Sequence, residues 1–214
     1  MVIDNFEQVT ELLFSRLDEL NELGESNEPD KVLIGSVIRR TKENPDNKTY
    51  VVKRYCFKSK KEFLERREEI KEYCHMFNAR FYLATNIKSL QSIAFDMSIE
   101  MPKIIKNKEF NYARRLWDSI SDSNTGLRSE QLWIVDIDEQ DEEFIKELTH
   151  TINNHPRSKE GQTTVVATIK TINGVHLLTT PHDIRYLDKH PRRAEFDIKR
   201  NAKTVVYYGG TNGK

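Results

Sequence analysis

Three carboxylates and a histidine are the residues of this chain with types and spacing suited to chemistry. Asp136 and Asp138 close the apolar run Leu132-Trp133-Ile134-Val135-Asp136-Ile137-Asp138 at spacing i, i+2. Residues two apart on a strand share a face. The spacing therefore predicts two acids side by side at the strand's C-terminal end. Leu132 and Ile134 would lie behind them, with Trp133, Val135 and Ile137 on the other face. A strand apolar on both faces is usually central and buried. Two acids at its rim suit a hard cation with oxygen ligands, such as Mg2+, which completes its shell with water and phosphate. A third carboxylate would allow a second ion and in-line attack on phosphorus. The plainer reading is that Asp138 or Asp141 caps the following helix.

Asp197 is the third acid. In Glu195-Phe196-Asp197-Ile198-Lys199, alternation sends Phe196 and Ile198 inward and Glu195, Asp197 and Lys199 to the opposite face. Its plainer reading is a pair with Lys199 or Arg200. His176 follows Asn173-Gly174-Val175, just past a turn and so near a sheet rim. There an imidazole suits a nucleotide phosphate, and Gly174 permits close backbone approach by a ligand. The alternative is a structural histidine. If the three acids act together, they must converge within about 6 Å, since paired ions in such sites lie about 3.5–4 Å apart. An Asp197 on the far side of the sheet would end that reading.

The elements that must position these groups follow from periodicity. Residues 5–23 read as a helix with Val9, Leu12, Leu13, Leu17 and Leu20 on one stripe. After a polar linker (25–30), strands at 31–41 and 49–58 flank a Pro/Asn/Asp loop over 42–48. Arg39, Arg40, Lys53 and Arg54 stand near the loop end of this hairpin, as solvated edge charges or as phosphate-backbone contacts. Ser59-Lys60-Lys61-Glu62 is a capping box opening a helix to about Phe77. A strand at 79–84 follows, then helices at 87–101 and 108–119 separated by Pro102 and a Lys-rich joint, then a loop over 121–126. A strand at 131–137, a helix at 141–153 and a polar loop at 154–162 come next. Strands at 163–170 and 175–180 meet in a tight Asn173-Gly174 hairpin. Residues 181–189 turn, strands occupy 193–199 and 204–208, and the tail frays from 209. The order predicts an α+β fold, with a mixed or antiparallel sheet and helices on one side. An N-terminal α/β part over 1–120 and a site-bearing part over 121–214 would form one unit.

Composition narrows the classes. Thirty-four basic and 34 acidic residues leave no net charge to steer the chain toward nucleic acid or membrane. The charge is nevertheless segregated, with acids crowded in 139–147 and bases in 192–203. Two separated cysteines form neither a disulfide framework nor a metal cluster. No apolar run reaches the roughly 18 residues of a membrane span, and the acidic N-terminus is unlike a signal peptide. These features predict a soluble cytoplasmic protein. There is no G-x-S-x-G elbow, Walker A loop or H-E-x-x-H zinc site. Lys170-Thr171-Ile172-Asn173-Gly174 is one residue too long for the K-x-D/N-G nucleophile of covalent nucleotidyltransferases.

The order of Val135-Asp136-Ile137-Asp138, Gly174-Val175-His176 and Phe196-Asp197 resembles the archaeo-eukaryotic primase superfamily, and the wider wording is similar to small phage or bacterial primase-like proteins. The likeness covers roughly residues 130–208. It departs from the family at Gly174, where serine is usual, and in lacking a zinc module. The resemblance implies an RRM-like catalytic core behind an N-terminal α/β part. It implies Mg2+ or Mn2+ on Asp136, Asp138 and Asp197, and triphosphate on His176. Lys170, Lys199 and Arg200 are weaker phosphate candidates, argued only from charge and proximity in the chain. The implied activity is metal-dependent nucleotidyl transfer in DNA replication, with nucleic acid, nucleotides and replication proteins as partners. A non-catalytic nucleic-acid-binding or regulatory protein, and a metal-dependent nuclease or phosphoesterase, are the alternatives.

Overall fold

The computed structural model describes residues 1–24, 29–42, 44, 48–154 and 164–210. The chain begins with β1 (Ile3–Asp4) and one continuous helix made of α1 (Phe6–Val9), a π-helical turn (Thr10–Phe14) and α2 (Ser15–Glu22). The hairpin β2 (Lys31–Arg39) and β3 (Tyr50–Phe57) leads into α3 (Lys60–Glu65) and α4 (Arg67–Met76). Next come β4 (Arg80–Ala84), β5 (Lys88–Ser89), α5 (Leu90–Asn107), α6 (Phe110–Ala113) and α7 (Leu116–Ser123). The last part is β6 (Trp133–Ile137), α8 (Glu142–Asn153), β7 (Val165–Lys170), β8 (Val175–Thr179), β9 (Phe196–Lys199) and β10 (Lys203–Tyr208). The molecule is α+β, and every strand pairing among the described residues is antiparallel. Most of the 25–30 linker, the centre of the 42–48 loop, residues 155–163 and the end of the tail lie outside the described residues.

Two sheets result. The first has the order β1-β10-β4-β2-β3, with β5 on β2; the second has the order β7-β8-β6-β9. One face of the first sheet is packed by the N-terminal helix, α3 and α4 around Phe6, Phe14, Phe57, Phe63 and Phe81, all buried. The cap forms at the expected place, with Ser59 Oγ accepting from Glu62 N at 3.2 Å, but the Glu62 carboxylate reaches one residue past the cap and accepts from Lys58 N at 2.7 Å. The second sheet is apolar on both faces. Val135, Ile137, Leu177 and Phe196 pack on α8, while Ile134, Ile169 and Leu178 enter the large core of the first sheet. Asn5 ties the sheets together, its Nδ2 donating to Lys170 O at 2.9 Å and Val205 O at 3.0 Å.

Local expectations need correction at Pro102 and over 121–126. Pro102 does not divide a helix; α5 runs through it for 18 residues. Both Pro102 and Ser98, whose carbonyl loses its partner four residues on, are exposed, so water takes that acceptor. The 121–126 stretch is not all loop, since α7 extends to Ser123. β10, the last strand in the chain, crosses over to lie between β1 and β4 of the first sheet.

Candidate active site

Register brings the three motifs into one row. Asp136 on β6 lies directly opposite His176 on β8 and directly opposite Asp197 on β9. Directly opposed residues in an antiparallel sheet share a face with Cβ atoms about 4.5–5.5 Å apart. Asp138 follows just past the end of β6 on the same side. Asp197 is therefore not on the far face, the outcome that would have ended the convergence argument.

Asp141, not Asp138, caps α8: its carboxylate accepts from Glu143 N and Phe144 N, both at 3.1 Å. The side chains of Asp138 and Asp197 make no hydrogen bond or ion pair with another described residue. They line a hollow with Asp136, Glu139, Glu195 and Lys199. The crowded acids of 139–147 and bases of 192–203 meet at Arg192. It donates to Glu139 and Asp141 at 2.8 Å, and to Glu195. That clamp neutralises the rim acids and leaves Asp138 and Asp197 facing the hollow.

Asp136 is the most constrained of the three. Its side chain is 16% exposed; His176 Nε2 stands 3.2 Å from one oxygen and Lys199 Nζ pairs with the other. Burial alone would raise its pKa, but hydrogen bonds from His176 and Lys199 outweigh that and hold it down at about 2. The other imidazole nitrogen of His176 lies 3.0 Å from the hydroxyl of Thr204, which is buried on β10. A residue of the first sheet thus orients the histidine of the second. Gly174 is required here by close approach, though not of a ligand. A Cβ at 174 would stand 1.9 Å from Ile137 O and 2.7 Å from Glu139 O. The β7–β8 turn passes against the backbone that carries Asp138. That turn is closed by Thr171 N donating to Gly174 O at 2.9 Å and Gly174 N donating to Thr171 Oγ1 at 3.1 Å.

Beside the acids, a cleft of about 300 Å³ opens between the sheets. Its second-sheet wall is Asp136, Asp138, His176 and Lys199; its first-sheet wall is Arg40, Lys42, Arg80, Tyr82 and Lys203. The Tyr82 hydroxyl accepts from Arg40 at 3.0 Å and from Arg80 at 3.3 Å, so it draws two guanidinium groups together. The arrangement is bipolar: carboxylates at one end, cations around the rest. Such a site suits a polyanion whose charged end meets the carboxylates through a cation.

Several expected contacts lie elsewhere. Lys170 is opposite Val175, on the α8 face, because Ile169 takes the position opposite His176. Arg200 stacks on the Trp133 ring at 5.0 Å, again on the α8 face. Lys53 faces α4, where it pairs with Glu69 and lies over the Tyr55 and Tyr73 rings. Arg54 is consumed by Asp122 and Asp118 of α7, at 2.7 and 3.0 Å. Arg39 alternates to the side of Val37, away from the cleft. Of the four hairpin cations only Arg40 reaches the site: alternation sends Arg39 and Lys53 to the helix-packed face, and Arg54, although on the cleft face, is held by α7. Lys42, Arg80, Tyr82, Lys203 and Thr204 were not anticipated. Alternation in Arg80-Phe81-Tyr82 marks Arg80 and Tyr82 as sharing a face, but nothing local says what that face meets.

Among the described residues, no group of three or more His, Cys, Asp or Glu side chains is arranged to hold a metal ion. His176 and Lys199 each stand on one carboxylate oxygen of Asp136. The donor chemistry still fits a hard cation: three carboxylates on one face, two without partners among the described residues, beside a cleft for phosphate. No helix among the described residues is long and apolar enough to cross a membrane. No family model, no curated protein and no solved structure matches this chain.

Proposed function

We propose that the protein is a metal-dependent nucleotidyltransferase of primase/polymerase type. The observation that carries this reading is the row His176–Asp136–Asp197 facing a cleft with a cationic opposite wall. The order of the second sheet supports the resemblance. Numbered along the chain, its strands lie 2-3-1-4, with α8 between the first two, and the two strands flanking the first are antiparallel to it. Two 3-10 turns (Leu187–Lys189 and Arg193–Glu195) precede the last of these strands, where an RRM-like unit has its second helix.

In this reading Asp136, Asp138 and Asp197 hold Mg2+ or Mn2+, which stabilises charge on a phosphoryl group undergoing substitution. Arg40, Lys42, Arg80 and His176 bind and orient the polyphosphate of the incoming nucleotide. Lys199, which lines both hollows, would have to release Asp136 for a cation to be held there, and would then be free to pair with phosphate. Nucleic acid and nucleotides are then the partners.

The test is nucleotide incorporation with Mg2+ or Mn2+ on primed and unprimed templates, using dNTPs and NTPs. The expected result is incorporation that falls by on the order of 10²–10³-fold or more in Asp136→Ala/Asp138→Ala. Incorporation that survives the double substitution overturns the reading. Shortening of the template instead of extension assigns the acids to a nuclease.

The Lys199–Asp136 pair favours a second reading, a non-catalytic nucleotide- or nucleic-acid-binding protein in which Lys199 is the permanent counter-ion. Electron paramagnetic resonance of added Mn2+ separates the two. Catalysis requires Mn2+ immobilised by the wild type and freed in Asp136→Ala/Asp138→Ala.

A further inference from the structure

The helical layer carries a second charged surface that the cleft does not use. From 103 to 115 the chain has Lys103, Lys106, Lys108, Arg114 and Arg115 against Glu109 alone, in a protein with no net charge. Lys103 is held by Glu100 at 2.6 Å. Lys106, Lys108, Arg114 and Arg115 pair with no carboxylate among the described residues. This contrasts with Lys53, Arg54, Arg192 and Lys203, each neutralised by an acid. Residues 105–112 are exposed one after another, and with them the rings of Phe110 (62%) and Tyr112 (40%). Lys108 takes a left-handed conformation at φ 59°, which ends α5 and turns the chain into α6. Asn111, Tyr112, Arg114 and Arg115 line a hollow of about 510 Å³ there.

Unpaired cations beside exposed rings match one class of ligand. Phosphates of a single strand neutralise the cations, and unpaired bases stack on aromatic faces. A duplex keeps its bases stacked on one another and has little use for the rings. We propose that this α5–α6 tip, with Lys106, Lys108, Phe110, Tyr112, Arg114 and Arg115, is a docking surface for single-stranded nucleic acid. Its placement suits a strand shared with the cleft. Asp122 of α7 pairs with Arg54 and Lys203, and Lys203 lines the cleft, so the helical layer and the cleft occupy the same face of the first sheet. The proposal goes beyond the catalytic reading and does not depend on it.

The experiment is fluorescence anisotropy of a labelled oligothymidylate with the full chain, in EDTA, across a salt series. The wild type is expected to bind with a salt-dependent affinity. Removing two cations in Arg114→Gln/Arg115→Gln should flatten the plot of log K against log salt by about 1.4, at about 0.7 per phosphate contact. Phe110→Ala should weaken binding by about tenfold and leave the slope unchanged. Arg114→Gln/Arg115→Gln should immobilise Mn2+ as the wild type does, so failure of the metal site and loss of docking are read separately. All substituted tip residues are exposed, so unchanged melting temperatures are expected and confirm intact fold. No binding by the wild type, tip variants that bind like the wild type, equal binding of duplex with no effect of Phe110→Ala, or self-association through the tip without strand binding each overturn the proposal.

Discussion

Asp136 is where local and long-range forces meet. Its folded carboxyl titrates at about 2 against an ordinary value of 3.8, held down by His176 and Lys199 against the cost of burial. Between those values the unfolded chain binds more protons than the folded one. The contribution is fully present above about pH 4 and is lost as pH falls through 2, and it amounts to at most about 2 kcal/mol. Urea unfolding between pH 5 and pH 2 should show the wild type losing more stability than Asp136→Asn. Parallel pH profiles would refute the pairing. Gly174 gives a second prediction at this scale. A Cβ there would stand 1.9 Å from Ile137 O, which leaves no room for a side chain, and the atoms it meets on Ile137 and Glu139 are backbone. Gly174→Ala should therefore cost on the order of 3 kcal/mol or displace the strand end that carries Asp138, read by denaturant unfolding.

At the scale of elements, two nearby acids divide their work. Asp141 caps α8 and pairs with Arg192, while Asp138 supports no element. Asp141→Ala should cost about 1–2 kcal/mol. Asp138→Ala should leave stability within about 0.5 kcal/mol of wild type and abolish metal-dependent incorporation. Calorimetry beside the incorporation assay checks both, and equal destabilisation by the two would assign Asp138 a structural role. Pro102 is the converse case. It sits inside α5 at a measurable cost because its side of the helix is wet. Pro102→Ala should stabilise the protein by on the order of 1–3 kcal/mol, visible as a raised melting temperature.

At the scale of the whole molecule, β10 decides the architecture. It is an interior strand of the first sheet, carries Thr204 to His176 and Lys203 to the cleft, and follows every other strand in chain order. A chain truncated after Ala202 should lose cooperative folding, because β1 and β4 would each face an unpaired edge. Two-dimensional amide NMR would show collapsed dispersion. A well-dispersed spectrum would mean that the first sheet closes without β10.

Much of the site was legible in the sequence because it rests on period two. Alternation placed Asp136 with Asp138, set Asp197 between Phe196 and Ile198, and put His176 just past a turn, and these are properties of single strands. The Ser59 cap is likewise local, whereas the β7–β8 turn has Ile172-Asn173 at its corner, between the paired Thr171 and Gly174, and not Asn173-Gly174. What one strand cannot encode is its neighbour. Register alone set Asp136 opposite both His176 and Asp197. The crossing of β10 brought Thr204, Lys203, Tyr82 and Arg80 to the acids, and packing against α4 and α7 took Lys53 and Arg54 away from them. Side-chain period is a matter of backbone geometry within one element, so the sequence by itself determined which residues share a face. Which faces meet depends on how two sheets bury their apolar sides together, and that only the tertiary structure decided.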